Sequence, residues 1–204
     1  MAMDKLDLKK AYRELYRAKP QPALVEVPPL HYLMIDGEGN PNTAQAYKES
    51  VEALFSLSYT LKFMIKRMPE GTDYGVMPLE GLWWTEPIEA FSVERKEDWK
   101  WTSLMLQPDF ITPALMEEAR QQAAAKKELP ALPLIRLERL EEGKCAQVLH
   151  IGPYAEEAPT VQRLHDFIRE QGLRLRGKHH EIYLGDPRRA APDKLQTIIR
   201  QPVE

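Results

Sequence analysis

The chain has 204 residues, of which 43% are hydrophobic and 29% charged, a composition typical of a globular protein and not of a disordered or collagen-like one. Its 28 basic and 31 acidic side chains give a net charge of -3, the wrong sign for a protein that grips phosphate backbones, so nucleic acid is not expected as a partner. The single cysteine cannot form an internal disulfide, and neither a leader sequence nor an apolar run of about 20 residues is found, so the sequence predicts a cytoplasmic protein that does not enter the membrane.

The first half of the chain, about residues 23–110, is predicted to run strand, helix, strand, strand. A strand over 23–35 meets a cluster of turn formers at 36–41. Apolar residues then recur at alternating spacings of four and three from Tyr47 to Met68, which predicts a helix of about seven turns with Asn42 as its amino-terminal cap. Two aromatic-rich strands, 74–85 and 99–106, follow.

A helical connector over 112–127, opened by Thr112 and Pro113, leads to a second half at 132–204. Here the same order returns: one or two strands in 134–151, a turn at 152–154, a helix ended by Gly172, and strands at 173–184 and 195–202 that are joined by a loop at 185–189. The sequence therefore predicts one domain over 1–204 that is built from two copies of a single unit.

A strand-helix-strand-strand unit has one apolar face and cannot bury it alone, so the two copies are expected to associate. We predict an α+β fold with pseudo-twofold symmetry, antiparallel sheets and helices on their outer side. Such an arrangement leaves a concavity between the halves, which is a common place for a small-molecule site.

Several candidate site residues lie on the strands that would meet at this concavity. Alternation along a strand puts Glu181 and Tyr183 on one face, which is either the wall of the cleft or a solvated outer surface. The neighbouring indoles of Trp83 and Trp84 must point to opposite faces, and the sequence does not decide which one faces inward. Trp101 is either a cross-strand packing partner or a ligand contact.

No metal and no cofactor are expected. The histidines have no ligand-like spacing with carboxylates or with Cys145, and that thiol has no evident histidine partner to activate it. Neither a G-x-S-x-G elbow nor a phosphate-binding or dinucleotide-binding glycine motif occurs.

Three segments carry a resemblance to a known family: HIGPY at 150–154, HEIYLGDPRR at 180–189 and PLEGLWW at 78–84. With them, nearly the whole chain resembles the GyrI-like small-molecule-binding superfamily, and in particular a stand-alone bacterial branch of it. The resemblance implies a duplicated fold with a ligand cleft between the copies. It also implies that Glu181 lies in an aromatic-lined pocket for planar or cationic drug-like molecules.

The resemblance further implies an activity, because a stand-alone branch of this superfamily adds water to the strained cyclopropane of cyclopropyl-indole genotoxins. Carried over by motif position, the catalytic residues would be Glu181 and Tyr183, and one of Trp83 or Trp84 would bind the ligand. Tyr154 matches the Gly-Pro-Tyr element of the family and is either a ligand contact in the cleft or a turn-packing residue. Such an enzyme would serve drug resistance by detoxification. Two alternatives stay open: a protein that binds or sequesters drugs without catalysis, and a protein-binding modulator like the gyrase inhibitor that gives the superfamily its name.

Overall fold

The computed structural model describes residues 5–87, 95–186 and 189–204, so positions 187 and 188 of the 185–189 loop lie outside the described residues. In chain order the elements are the helices α1 (Leu8–Ala11) and α2 (Arg13–Tyr16), the strands β1 (Ala23–Val27) and β2 (Leu30–Glu38), the helix α3 (Gln45–Lys66), the strands β3 (Glu80–Trp84) and β4 (Lys100–Leu106), the helix α4 (Pro113–Ala124), the strands β5 (Arg136–Leu140) and β6 (Gly143–Ile151), the helix α5 (Ala158–Glu170), and the strands β7 (His179–Tyr183) and β8 (Gln196–Pro202).

The strands form one antiparallel sheet of eight, in the order β1-β6-β8-β7-β3-β4-β2-β5. This confirms the predicted α+β fold of two strand-helix-strand-strand units. The halves share a continuous sheet instead of stacking two separate ones, and the seam is the pairing of β3 with β7, in which Gly81 lies opposite Glu181.

The two halves also exchange their first strands. Strand β1 pairs with β6 of the second half, and β5 pairs with β2 of the first half. Pro28 and Pro29 separate β1 from β2, since proline cannot donate a ladder hydrogen bond and turns the chain out of the first strand. Each half therefore completes the sheet of the other.

Several element boundaries differ from the prediction. The 23–35 strand is divided into β1 and β2, and β2 continues to Glu38 into the predicted turn at 36–41. The 74–85 strand is reduced to β3, because Pro78 has no N–H to donate and Tyr74 makes only an isolated bridge to Leu6. The 173–184 strand is reduced to β7, since Gly177 at φ 65° turns the chain. Asn42 does not cap α3, which begins at Gln45 without a side-chain cap.

The long helices α3 and α5 cover the same face of the sheet, which we call the helix face. They pack on side chains of alternating strand positions, namely Leu33, Ile35 and Met105 under α3 and Ala146, Val148 and Ile199 under α5. The connector helix α4 packs against α3 on the same side, and Thr112 caps it as predicted. The space between α3 and α5 lies above β3 and β7.

The short helices α1 and α2, which the sequence patterns did not predict, lie on the opposite face. Their Leu8, Leu15 and Tyr16 side chains complete a second apolar cluster with Tyr32 and Ile182. One-turn helices leave too few apolar residues for a periodicity to be recognised, and tertiary packing stabilises them instead.

A buried ionic network lies under these short helices. His180 on β7 is within 2.9 Å of the Glu80 carboxylate through Nε2 and within 3.0 Å of the Glu142 carboxylate through Nδ1. Burial alone would lower the pKa of His180, but the two carboxylates raise it to about 9. The Tyr16 hydroxyl donates to Glu80 at 2.5 Å and so ties α2 to the network.

Arg200 on β8 extends this network to the backbone of α2. Its guanidinium donates to Glu142 Oε2 at 3.4 Å and to the carbonyl oxygen of Leu15 at 2.8 Å. Burial would raise the pKa of Glu142, but His180 and Arg200 lower it to about 2. Through the Tyr16 hydroxyl and the Leu15 carbonyl oxygen, the network therefore holds α2 on the sheet.

In the part of the chain that the structure describes, none of the helices is both long enough and apolar enough to cross a bilayer.

Candidate functional site

An aromatic cluster lies on the helix face at the middle of the sheet. Trp83 of β3 and Trp101 of β4 stand opposite each other in the strand register, and both are almost fully buried. Tyr47 of α3 reaches down to them, with ring centroids 5.7 Å from Trp83 and 5.1 Å, edge-on, from Trp101. Trp99 completes the cluster at 5.0 Å from Trp83. The cluster joins α3 to the seam between the halves.

Two glycines allow the indoles to lie across the strands. A Cβ at Gly81 would come within 2.8 Å of Trp83 Nε1, and a Cβ at Gly37 would come within 2.2 Å of the Trp101 ring. Both positions lie beside an indole on the same face, so only glycine leaves room for the ring. The packing of the two indole rings thus depends on the absence of a side chain at Gly37 and Gly81.

An acidic side chain sits next to this cluster. Glu181 of β7 is 6% exposed, so it does not lie on a solvated strand face. His179 Nε2 lies 3.1 Å from its Oε1, and the Tyr183 hydroxyl donates to its Oε2 at 2.7 Å. Trp83 Nε1 donates in turn to the Tyr183 oxygen at 3.2 Å. A continuous hydrogen-bonded path therefore runs from the indole through the phenol to the carboxylate.

The hydrogen bonds decide the charge of this carboxyl group. Burial would raise the pKa of Glu181, but the bonds from His179 and Tyr183 lower it below its usual range. Burial and the Glu181 carboxylate raise the pKa of the Tyr183 phenol well above its usual value. The pair is therefore a buried carboxylate and a neutral phenol whose proton points at it.

A second carboxyl group, from Glu157, lies beside Glu181. It belongs to the residue that precedes α5, is 6% exposed, and has its pKa raised to about 9 by burial and by the Glu181 carboxylate. Sequence reasoning did not single out Glu157. The available signal was an acidic residue just before a predicted helix, three positions after the turn that carries Tyr154.

Five of the six predicted site residues lie together. Glu181, Tyr183, Trp83 and Trp101 share the helix face, and the Tyr154 ring meets the Tyr183 ring edge-on at 5.5 Å. Burial and the Glu157 carboxyl raise the pKa of Tyr154 to about 12.

Trp84 is the exception, because strand alternation turns it to the opposite face of the sheet. It packs there with the second apolar cluster, and the Lys178 ammonium lies 3.4 Å from the centre of its ring.

The candidate site between α3 and α5, above β3 and β7, which we call the cleft, contains polar atoms that could serve a ligand. Among the described residues, neither Trp101 Nε1 nor Glu157 Oε1 has a hydrogen-bond partner, although both atoms are shielded from solvent. One is a donor and the other an acceptor, and both lie beside aromatic rings. The described residues contain no group of three histidine, cysteine or acidic side chains suited to hold a metal ion. Burial raises the pKa of the Cys145 thiol to about 12, which makes it a poor nucleophile.

Comparison with known proteins gives a family and a set of similar structures. The family model of the GyrI-like small molecule binding domain matches residues 20–204. An uncharacterized conserved protein from Listeria innocua is 40% identical, with a TM-score of 0.91 over 98% of this chain and 100% of that chain. A hydrolase from the same organism is 39% identical, with a TM-score of 0.89 and the same coverage of both chains.

More distant similarity extends to the C-terminal domain of EcmrR. That structure is 15% identical, with a TM-score of 0.57 over 90% of this chain and 97% of that chain, and it shows a shared fold alone. No curated protein matches the chain.

Proposed function

Because the chain belongs to the GyrI-like family of small-molecule-binding domains, we propose that its cleft binds planar aromatic molecules and hydrolyses cyclopropyl-indole genotoxins by adding water to their activated cyclopropane. The observation that carries this proposal is the buried Glu181 carboxylate, hydrogen-bonded to a phenol and bordered by indoles. Similarity to a hydrolase from Listeria innocua, at 39% identity over almost the whole chain, supports a hydrolytic reaction.

The aromatic rings would bind the substrate. Trp83, Trp101 and Tyr47 already contact one another. A planar molecule that binds here therefore has to displace one ring from its neighbour and stack in its place. The carboxylate would also favour a ligand that carries positive charge, because it is the ionised group in an apolar cleft.

Glu181 would act as the general base. It accepts a proton from water, the water oxygen bonds to a methylene carbon of the cyclopropane, and the bond from that carbon to the ring system breaks. The electron pair of the broken bond moves through the conjugated ring to its carbonyl oxygen. Release of ring strain supplies much of the driving force.

Tyr183 would return the proton to the substrate. Its hydroxyl hydrogen is donated to Glu181 in the structure, so it is not available to a substrate oxygen at the start. Once Glu181 has been protonated by water it can give this proton to the phenol oxygen, which then donates its own to the negative substrate oxygen. The product contains one added water, and both side chains are restored.

The test is incubation of the protein with a cyclopropyl-indole compound, followed by mass spectrometry for the gain of one water. We expect Glu181→Gln to lower the rate by about 100- to 10,000-fold, the usual contribution of a general base, while the compound still binds. Glu170→Gln, at the exposed end of α5, is the control and should keep the wild-type rate.

Two outcomes would contradict the proposal. A wild-type protein that binds the compound and releases it intact is a binding or sequestering protein and not a hydrolase. A Glu181→Gln variant that turns over as fast as the wild type would show that another group activates the water.

A further inference from the structure

The backbone at Glu157 is held in place by the start of α5. Its carbonyl oxygen accepts hydrogen bonds from the N–H groups of Thr160 and Val161, at 2.8 and 2.9 Å. The side chain is therefore aimed from a rigid point, and it is directed inward, at 6% exposure, although a glutamate at this position of a helix is usually solvated.

The surroundings of the Glu157 carboxyl are those of the cleft. It faces Glu181 and Tyr183 on β7, Tyr154 in the preceding turn, and Thr197 on β8, while Lys96, in the segment before β4, acts on it from a distance. His179 lies on the far side of Glu181. The charged neighbours are thus one carboxylate at close range and one ammonium farther away.

One oxygen of this carboxyl is without a partner. Among the described residues, Glu157 Oε1 makes no hydrogen bond and is shielded from solvent, although the carboxyl group as a whole interacts with Thr197 and Glu181. A buried acceptor that lacks a donor costs roughly 1–3 kcal/mol, so proteins seldom keep one that nothing uses. A water molecule or a ligand donor in the cleft would satisfy it.

The protonation state follows from burial next to a negative group. Burial and the Glu181 carboxylate raise the pKa of Glu157 to about 9, so the group is a neutral carboxylic acid at neutral pH. Its neighbour is ionised. The two carboxyl groups in one cleft therefore differ in charge.

We infer that Glu157 holds the water molecule that attacks the substrate. This inference rests on the proposed hydrolytic function. Glu157 Oε1 accepts one hydrogen of the water and Glu181 accepts the other, so the water oxygen has a lone pair free for the substrate carbon. Because Glu157 is neutral, only Glu181 takes the proton, and Glu157 ends the cycle unchanged.

Two variants separate this role from a structural one. Glu157→Gln stays neutral and keeps an acceptor oxygen, so it should retain most of the wild-type kcat. Glu157→Leu has a similar size without an acceptor, and we expect its kcat to fall about 100-fold, with little change in KM, since a hydrogen bond to a reacting group is lost and the aromatic walls remain. Glu156→Gln, at the exposed neighbouring position, is the control.

A pH profile supplies a second readout. Raising the pH past about 9 ionises Glu157 and places two negative carboxylates side by side, so the wild-type kcat should fall there. Glu157→Gln cannot ionise and should not show this decline.

The outcomes distinguish the two proposals. If the wild type does not add water to the cyclopropyl-indole, the proposed function fails. If the wild type does add water and Glu157→Leu matches its rate, or if Glu157→Gln is as slow as Glu157→Leu, the hydrolytic function stands and the water-holding role of Glu157 is overturned. Circular dichroism of each variant confirms that it is folded.

Discussion

Individual residues of the cleft show how far strand alternation can be used. Because successive side chains of a strand point to opposite faces, the sequence correctly placed Glu181 and Tyr183 on one face and Trp83 and Trp84 on opposite faces. Alternation alone could not show that the face with Glu181 is buried, because burial depends on the other elements that pack on the sheet. That information depends on the pairing of Gly81 with Glu181, which joins the two halves and is not encoded in either strand alone.

The two adjacent tryptophans provide a matched pair for ligand binding. Trp83→Leu removes an indole from the cleft, and we expect the affinity for the hydrated cyclopropyl-indole product to fall roughly 2- to 12-fold, since an aromatic contact contributes about 0.5–1.5 kcal/mol. Trp84→Leu changes the opposite face and should leave the affinity unchanged. Isothermal titration calorimetry measures both, and equal losses in the two variants would contradict the assignment of Trp83 to the cleft.

Among the elements, the long helices and most strands could be predicted, and the amino-terminal helices could not. The face of α3 was recognised because Leu54, Ser58, Leu61 and Ile65 repeat at helical spacing and are all buried. The segments α1 and α2 are one turn each, and they are held by tertiary contacts such as the bond from Arg200 to the Leu15 carbonyl oxygen. These residues also lie before the region that the family model matches.

The buried ionic network should make this amino-terminal segment sensitive to loss of charge. Arg200→Met leaves Glu142 without one of its two cationic partners, and we expect the free energy of unfolding to fall by about 3–5 kcal/mol, as is typical when a buried ion pair is broken. Urea denaturation followed by circular dichroism measures it. Arg174→Met, which removes an exposed arginine that pairs with Glu204, should change stability by no more than about 0.5 kcal/mol. A loss in Arg200→Met as small as that expected for the control would show that the network contributes little.

The whole molecule is held together by pairings between its halves. Of the seven strand pairings that the structure describes, three join the first half to the second: β1 with β6, β2 with β5, and β3 with β7. The duplication could be read from the repeated order of elements, since both halves show the same hydrophobic patterns. The exchange of first strands could not, because β1 would satisfy its hydrogen bonds equally well in either half.

Separate halves should therefore not be stable by themselves. We expect the fragments 1–127 and 128–204 each to show little cooperative unfolding, because each exposes unpaired strand edges and half of the cleft. Mixed together, they should form a one-to-one complex on size-exclusion chromatography and regain binding of the cyclopropyl-indole product. A second fragment that unfolds cooperatively as a monomer would contradict this expectation.

The exchanged strand also has a consequence for synthesis on the ribosome. The β-sheet hydrogen bonds of Ala23 in β1 cannot form until Gln147 of β6 has been synthesised. At about 5–20 residues per second, that delay is roughly 6 to 25 s, far longer than the microseconds in which a hairpin closes. During this delay the nascent chain has a strand edge whose backbone hydrogen-bonding groups are unpaired. Newly made copies are therefore most prone to mispair with one another while translation is still under way.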